Sequence, residues 1–171
     1  MLEVELKARV DQEYIRKKLL KEGVKPVKKE KQVDTYFNHP CHDFKSKDEA
    51  LRVRQAEGRL YLTFKGPRVD TETKTREELE VEVKGDIFAL LEALGFVPSK
   101  KIIKERETYR WEGLKLFLDK VEGLGSFLEI EGKEVNEKGK IFHLFNKLGI
   151  HSDRFIKKSY LELIMEEGGE K

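Results

Sequence analysis

Apolar and polar residues alternate from the first positions of the chain: Leu2, Val4 and Leu6 fall on one parity, Glu3, Glu5 and Lys7 on the other. A strand sends successive side chains to opposite faces, so this segment presents one apolar face and one charged face. The same two-residue period returns at about 31–38, 50–56, 60–66, 74–84, 101–110, 113–121 and 125–133. Helical periodicity replaces it at about 11–22, 86–94 and 136–148, with a shorter helix expected near 154–165. Asp11, Asp86 and Asn136 stand where N-caps belong, and Gly23, Gly95 and Gly149 follow the helical segments. Ala56-Glu57-Gly58-Arg59 and Glu112-Gly113 carry the chemistry of tight hairpin turns. Eight strands joined mostly by short turns predict an α+β fold built on an antiparallel sheet that closes or nearly closes on itself. The segments 11–38 and 86–110 resemble each other weakly, which suggests a two-fold repeat of strands and helix.

The polar faces carry both signs of charge. Arg52 and Arg54 alternate with Leu51 and Val53, and Tyr61, Thr63 and Lys65 with Leu60, Leu62 and Phe64. Arg76, Glu78, Glu80 and Glu82 oppose Leu79, Val81 and Val83, while Lys104, Arg106 and Arg110 share one parity. Lys115, Phe117 and Asp119 oppose Leu114, Leu116 and Leu118, and Glu129 and Glu131 flank Ile130. Two arrangements satisfy this pattern. Either the charged faces look into water as cross-strand ion pairs, or helices cover the apolar outside and the charges point into a barrel. Like charges two residues apart at Arg52/Arg54, Lys104/Arg106 and Glu129/Glu131 gain nothing on a solvated sheet. A polyanion with its metal ions uses both clusters, because guanidinium and ammonium groups grip phosphate oxygens and carboxylates are the hard ligands of magnesium and manganese.

Composition sharpens this. Of 171 residues, 40% are charged and only 38% hydrophobic, which suits a charged interior, a very polar surface, or both. The excess of Lys and Glu fits a protein from a hot environment. The net charge is only +2, so an anion site must come from local arrangement. With the single cysteine Cys41 and a start lacking signal-peptide regions, a reducing, cytoplasmic location is expected. No run approaches the ~18 apolar residues of a membrane span. A nucleic-acid surface would need a basic stripe with aromatics, and here the basic residues share strands with acids.

These residues resemble the CYTH superfamily, the triphosphate tunnel metalloenzymes. Glu3-Val4-Glu5-Leu6-Lys7 is similar to its Glu-x-Glu-x-Lys signature, and agreement continues in order through Arg52-Val53-Arg54, Thr63-Phe64-Lys65, Arg76-Glu77-Glu78-Leu79-Glu80, Lys104-Glu105-Arg106, Asp119, Gly125 to Glu131, and Lys158-Ser159-Tyr160. Gln32 to Phe37 followed by Asp48 to Arg54 looks most like the class IV adenylate cyclase branch and its archaeal relatives. The resemblance implies one domain over 1–165 with a frayed tail at 166–171, and an eight-stranded antiparallel closed barrel whose tunnel takes a triphosphate. It implies Glu3, Glu5, Glu129 and Glu131 as ligands of Mg2+ or Mn2+. Lys7, Arg52, Arg54, Lys65, Lys104, Arg106 and Lys158 would hold phosphates, with Lys7, Lys65, Lys104, Arg106 and Asp119 catalytic and Arg76, Glu78 and Glu80 supporting. The wording Lys-Ser-Tyr favours Lys158 over Lys157. Homodimers are common in that family; no residue of this sequence marks an interface.

The implied chemistry is conversion of ATP to cyclic AMP and pyrophosphate. The alternatives are hydrolysis of an organic or inorganic triphosphate (thiamine triphosphate, tripolyphosphate or a nucleoside triphosphate) and non-catalytic polyphosphate or nucleotide binding. Both acid pairs weigh against the last. Neutralising Glu5 or Glu129 is expected to thin a like-charge cluster and leave the fold intact or more stable. His39-Pro40-Cys41-His42 lacks the second pair that a tetrahedral zinc site needs, so 39–49 is read as a mobile loop at a tunnel mouth, within reach of a nucleotide.

Overall fold

The computed structural model describes residues 2–167. Eight strands form the wall: β1 (Leu2–Arg9), β2 (Pro26–Asn38), β3 (Ala50–Ala56), β4 (Arg59–Arg68), β5 (Lys74–Val83), β6 (Val97–Trp111), β7 (Leu114–Val121) and β8 (Gly125–Gly132). They follow the order β5-β4-β3-β2-β6-β7-β8-β1, and β1 returns to β5, so the antiparallel sheet closes. The chain runs strand, helix and three strands twice: β1, α1 (Gln12–Lys21) and β2 to β4, then β5, α2 (Ile87–Ala93) and β6 to β8. Exchanging the two halves maps the ring of pairings onto itself, with β2–β6 and β1–β5 each returning to itself.

Parity puts the charges inside. Val4, Leu6, Leu116, Leu118, Leu128 and Ile130 point outward and pack under Ile15 and Leu19 of α1 and Ile141, Leu144 and Phe145 of α3 (Lys138–Lys147). On the other half, Ile87 and Leu91 of α2 cover Phe37, Leu51 and Val53. The helix α4 (Tyr160–Glu167) lies across one end of the barrel. Its Tyr160 and Leu163 meet Tyr36, Ile102, Val121 and Phe127, all on the inward parity of their strands. No helix among the described residues is long and apolar enough to cross a membrane.

Local chemistry sets the boundaries. Asp11 and Asp86 cap α1 and α2 by accepting from the amides of Tyr14 and Ala89 at 2.9 and 3.0 Å. Asn136 does not cap α3. It sits within a 3-10 turn, Val135–Glu137, and α3 starts at Lys138. The carboxylate of Glu137 takes the amides of Lys133 and Glu134 instead. Gly149 ends α3 at φ +76°, and a Cβ there would lie 2.9 Å from the Tyr14 hydroxyl, so only glycine fits. Glu57-Gly58 and Glu112-Gly113 have positive φ at both residues, as a type I′ hairpin turn requires.

The helix expected near 154–165 is divided. Phe155–Ile156 forms a two-residue strand, β9, and α4 begins only at Tyr160. The cause lies in the closing seam. β5 pairs with Leu2 to Glu5 of β1, and Phe155 and Ile156 take the same edge at Ala8 and Lys7. Backbone groups at a closed barrel's seam need partners. β2 and β6 also run beyond the expected 31–38 and 101–110, because 26–30 and 97–101 pair with each other's strands while staying largely exposed and without alternation. Of the expected tail, Glu166 and Glu167 belong to α4, and 168–171 lie outside the described residues.

Leu144 is fully buried between α3 and the barrel wall, whereas Leu90 on α2 is 55% exposed. Leu144→Ala should cost about 2–5 kcal/mol, and Leu90→Ala within about 0.5 kcal/mol of nothing, by urea denaturation.

Candidate active site

The inward faces enclose a cavity of about 1220 Å3, lined from Lys115 and Glu131 at one end to His39, Glu162 and Met165 at the other. Its walls are ionic. On β6 and β7, Arg106 grips Asp119 with two hydrogen bonds of 2.7 and 2.6 Å and reaches Glu129 at 3.2 Å. Lys7 stands 3.2 Å from Glu129 on the adjacent strand, and the Tyr160 hydroxyl donates to Asp119 at 2.8 Å. On β2 and β3, Arg54 makes a bidentate pair with Asp34 at 2.7 and 2.8 Å. Arg52 donates to Thr63 at 2.9 Å and to Glu80 at 3.2 Å. On β4 and β5, Lys65 pairs with Glu78, and Lys74 contacts Glu5 at 2.5 Å.

Lys104 links the two halves of the network. Its ammonium lies 3.7 Å from Asp34 and 3.9 Å from Asp119, above the Tyr160 ring. Burial, with Arg106 and Arg54 nearby, outweighs both carboxylates and brings the amine down to about 7. Lys74 reaches about 8 through burial, opposed by Glu5 and reinforced by Lys7, Arg76 and Lys65. Lys7 goes the other way, since Glu129 and Glu5 outweigh burial. Burial would raise Asp119 and Glu78, but Arg106 and Lys104 hold the first at about 2 and Lys65 chiefly holds the second there.

Burial pushes the Glu3 carboxyl well up, and the charges of Glu5, Glu131 and Glu78 add to this against Lys65. Glu131 is likewise raised by burial and by Glu129 and Glu5, against Lys115. Like charges held together without enough counterions are the electrostatic signature of a cation site, and hard carboxylate oxygens suit magnesium or manganese. The donor chemistry therefore fits a divalent ion. The cage is not ready-made, since among the described residues no three His, Cys, Asp or Glu side chains converge to hold one. Magnesium commonly takes one or two carboxylates and completes its shell with water and substrate phosphate.

Of the residues expected at the site, Glu3, Glu5, Lys7, Arg52, Arg54, Lys65, Arg76, Glu78, Glu80, Lys104, Arg106, Glu129 and Glu131 all line this cavity, and Asp119 lies buried behind Arg106. Lys158 stands apart: it is exposed and pairs with Glu166, and Lys157 reaches the Thr71 carbonyl. Three residues absent from that set are integral to the network. Asp34 and Lys74 carry the inward parity of their strands, which was a usable signal. Tyr160 depends on how α4 folds over the barrel end, which periodicity does not encode. His39, His42 and Phe44 line the outer part of the cavity, and Arg68 ties this loop to α4 through Asp48 at 2.7 Å and Glu162 at 3.0 Å.

A closed antiparallel barrel with an interior of about 1220 Å3 lined by both signs of charge is a tunnel fold. This chain belongs to the CYTH domain family, whose pattern matches residues 1–160. A Methanocaldococcus jannaschii protein named as a candidate adenylate cyclase is 42% identical over 95% of this chain and 98% of its own length. The PH1819 protein of Pyrococcus horikoshii superposes with a TM-score of 0.85 at 42% identity, over 96% of this chain and 99% of its own. A candidate adenylyl cyclase from Hippeastrum, described as having a dominant triphosphatase activity, shares the fold at 21% identity and a TM-score of 0.65, over 99% of this chain and 96% of its own.

The pairing reverses one stability expectation. Glu5 is buried against Lys74 and Lys7, which outweigh its desolvation and hold it well below the usual value of 4.5. Its ionised form therefore stabilises the fold fully above about 4.5, and this is lost as the pH falls toward the depressed folded value. Glu131 is raised, so its ionisation opposes folding at neutral pH. In thermal and chemical melts at pH 7, Glu5→Gln should cost about 3 kcal/mol or more by leaving the buried Lys74 ammonium without its carboxylate, whereas Glu131→Gln should stabilise by about 0.5–2 kcal/mol.

Proposed function

We propose that this protein is a divalent-metal-dependent enzyme that binds a triphosphate in the barrel and converts ATP to 3′,5′-cyclic AMP and pyrophosphate. One observation carries the triphosphate half. Arg52 and Arg76 are each 5% exposed, face the cavity, and have buried Nε donors with no hydrogen-bond partner among the described residues. Buried guanidinium donors call for an acceptor, and phosphate oxygens supply it. The 42% identity to the Methanocaldococcus jannaschii protein supports the cyclase half.

Arg52, Arg54, Arg76 and Lys65 would bind and orient the phosphate chain, and Lys7 and Arg106 would neutralise charge that builds on it during the reaction. A magnesium or manganese ion held through Glu3, Glu131 and their neighbours Glu5 and Glu129 would withdraw electron density from the phosphates when bound. Lys104 suits the role of general base because its amine is partly neutral near pH 7. It would take the proton of the ribose 3′ hydroxyl as that oxygen bonds to the α-phosphorus, the bond to the bridging oxygen breaks, and pyrophosphate leaves with the electron pair. Asp119 and Tyr160, one bonded to the other and both beside Lys104, would keep that ammonium in place.

Phosphorus NMR of an incubation with ATP and Mg2+ or Mn2+ should show cyclic AMP and pyrophosphate. Orthophosphate without cyclic nucleotide would overturn the cyclase half and leave a triphosphatase. Saturating tripolyphosphate with Mg2+ should raise the melting temperature, and no shift would remove the triphosphate half too. The logarithm of kcat/KM should rise with unit slope below pH about 7 and level off above it, as the free-enzyme Lys104 loses its proton. Lys104→Arg should flatten that limb and lower turnover by roughly 10²–10⁴-fold.

A further inference from the structure

The seam that closes the barrel places Glu5 opposite Lys74 and Glu3 opposite Arg76, all on inward parity. These two pairs behave differently. Lys74 is 4% exposed, and its ammonium occupies one carboxylate oxygen of Glu5 at 2.5 Å. Arg76 makes no comparable contact with Glu3. Among the described residues its side chain donates to the Gly66 carbonyl at 3.5 Å, and its buried Nε finds no hydrogen-bond partner. Lys65 and Arg52, the latter with its own open Nε, come from β4 and β3 into the same cavity. An anion drawn to Arg76 and Arg52 therefore arrives beside a lysine whose present partner is a carboxylate of the cation-binding end.

The two roles of Glu5 compete. A carboxylate oxygen bonded to an ammonium has given part of its charge and one of its lone-pair sites to that partner, and it is the poorer ligand for a divalent ion. A phosphate chain offers Lys74 stronger acceptors, because each phosphate carries more charge and several oxygens. On the triphosphate reading argued above, we propose that Lys74 is an exchangeable counterion: it covers Glu5 in the free protein and passes to the phosphate chain when substrate arrives, opening Glu5 to the metal. Its function is to keep Glu5 paired until a triphosphate is present, so that metal and substrate enter together. Lys74 then acts as a positioning residue for Glu5 and as a phosphate ligand in the loaded site. The consequence is positive coupling between metal and triphosphate, arising from one ammonium moving between two partners.

The test uses Mn2+ alone and tripolyphosphate alone, each titrated by calorimetry into the full chain. Lys74→Met should bind Mn2+ about tenfold tighter than wild type and metal-free tripolyphosphate about tenfold weaker, the scale of one close charge interaction at a partly solvated site. Glu5→Gln should tighten metal-free tripolyphosphate binding by releasing Lys74, and a double-mutant cycle should show that gain vanishing in the Lys74→Met background. Lys74→Arg, which keeps the charge and folds under the same seam, should retain wild-type coupling. Unchanged Mn2+ affinity in a Lys74→Met protein with native circular dichroism would make the Glu5 contact a structural pair and overturn the proposal. So would an equal Glu5→Gln gain in both backgrounds. Should wild type itself fail to bind tripolyphosphate, the triphosphate reading falls with it, whereas binding by wild type with an unmoved cycle removes this inference alone.

Discussion

The constraint on which the rest depends is the burial of many charges on the inside of a closed sheet. Taking single ions out of water costs several kcal/mol each even after relaxation, so the interior survives only as a network in which cations and carboxylates answer one another. Arg106 with Asp119, Arg54 with Asp34, Lys7 with Glu129 and Lys74 with Glu5 are such answers. The apolar core is displaced to the outside of the wall, where α1, α2 and α3 sit on leucine, valine and isoleucine side chains. The barrel is thus an ordinary helix-covered sheet in its energetics and an ion-lined chamber in its chemistry.

The network is incompletely matched, and the mismatches are of both signs. Glu3 and Glu131 are raised by burial and by neighbouring carboxylates, whereas Arg52 and Arg76 keep donors without acceptors. The acids are crowded beyond what Lys65 and Lys115 offset, and the two guanidinium groups keep an open Nε even though Arg52 also reaches Glu80, all in a single cavity. A chain evolved for stability alone would pair these residues or replace them with apolar ones. A triphosphate carrying a divalent ion supplies both deficits at once. Lys104, poised between Asp34 and Asp119 over Tyr160, and Lys74 beside Glu5 are lysines of this network whose charge state changes near neutral pH by virtue of burial and crowding rather than of their own nature.

The closing seam joins fold to site. Among the described residues β1 and β5 share the pairs from Leu2–Glu77 to Glu5–Lys74, and Phe155 and Ile156 pair further along β1 at Ala8 and Lys7. The strand that shuts the barrel is therefore the strand that carries Glu3, Glu5 and Lys7. β9 in turn leads within a few residues to α4, whose Tyr160 reaches Asp119. Arg68 adds a second tie, holding Asp48 of the 39–49 loop and Glu162 of α4 at the same end of the cavity. Backbone closure and cavity shape are in this way set by the same few residues.

Strand alternation by itself determined the eight strands of the wall, the two hairpin turns and the grouping of Glu3, Glu5, Lys7, Arg52, Arg54, Lys104, Arg106, Glu129 and Glu131 on one set of faces, because a period of two assigns each side chain to a face wherever the strand lies. It also contained Asp34 and Lys74 on the inward parity, although nothing local marks them out from other charged strand residues. Alternation alone left open whether the charged faces met water or each other; the closed ring decided that, since a single pairing of β1 with β5 turns one face of every strand inward. Tertiary structure alone also separated Glu5, neutralised by Lys74, from Glu131, crowded by other acids, and placed Lys158 outside the cavity beside Glu166. Those distinctions depend on distances across strands and helices far apart in the chain, and an electrostatic interaction is fixed by distance and burial rather than by sequence spacing.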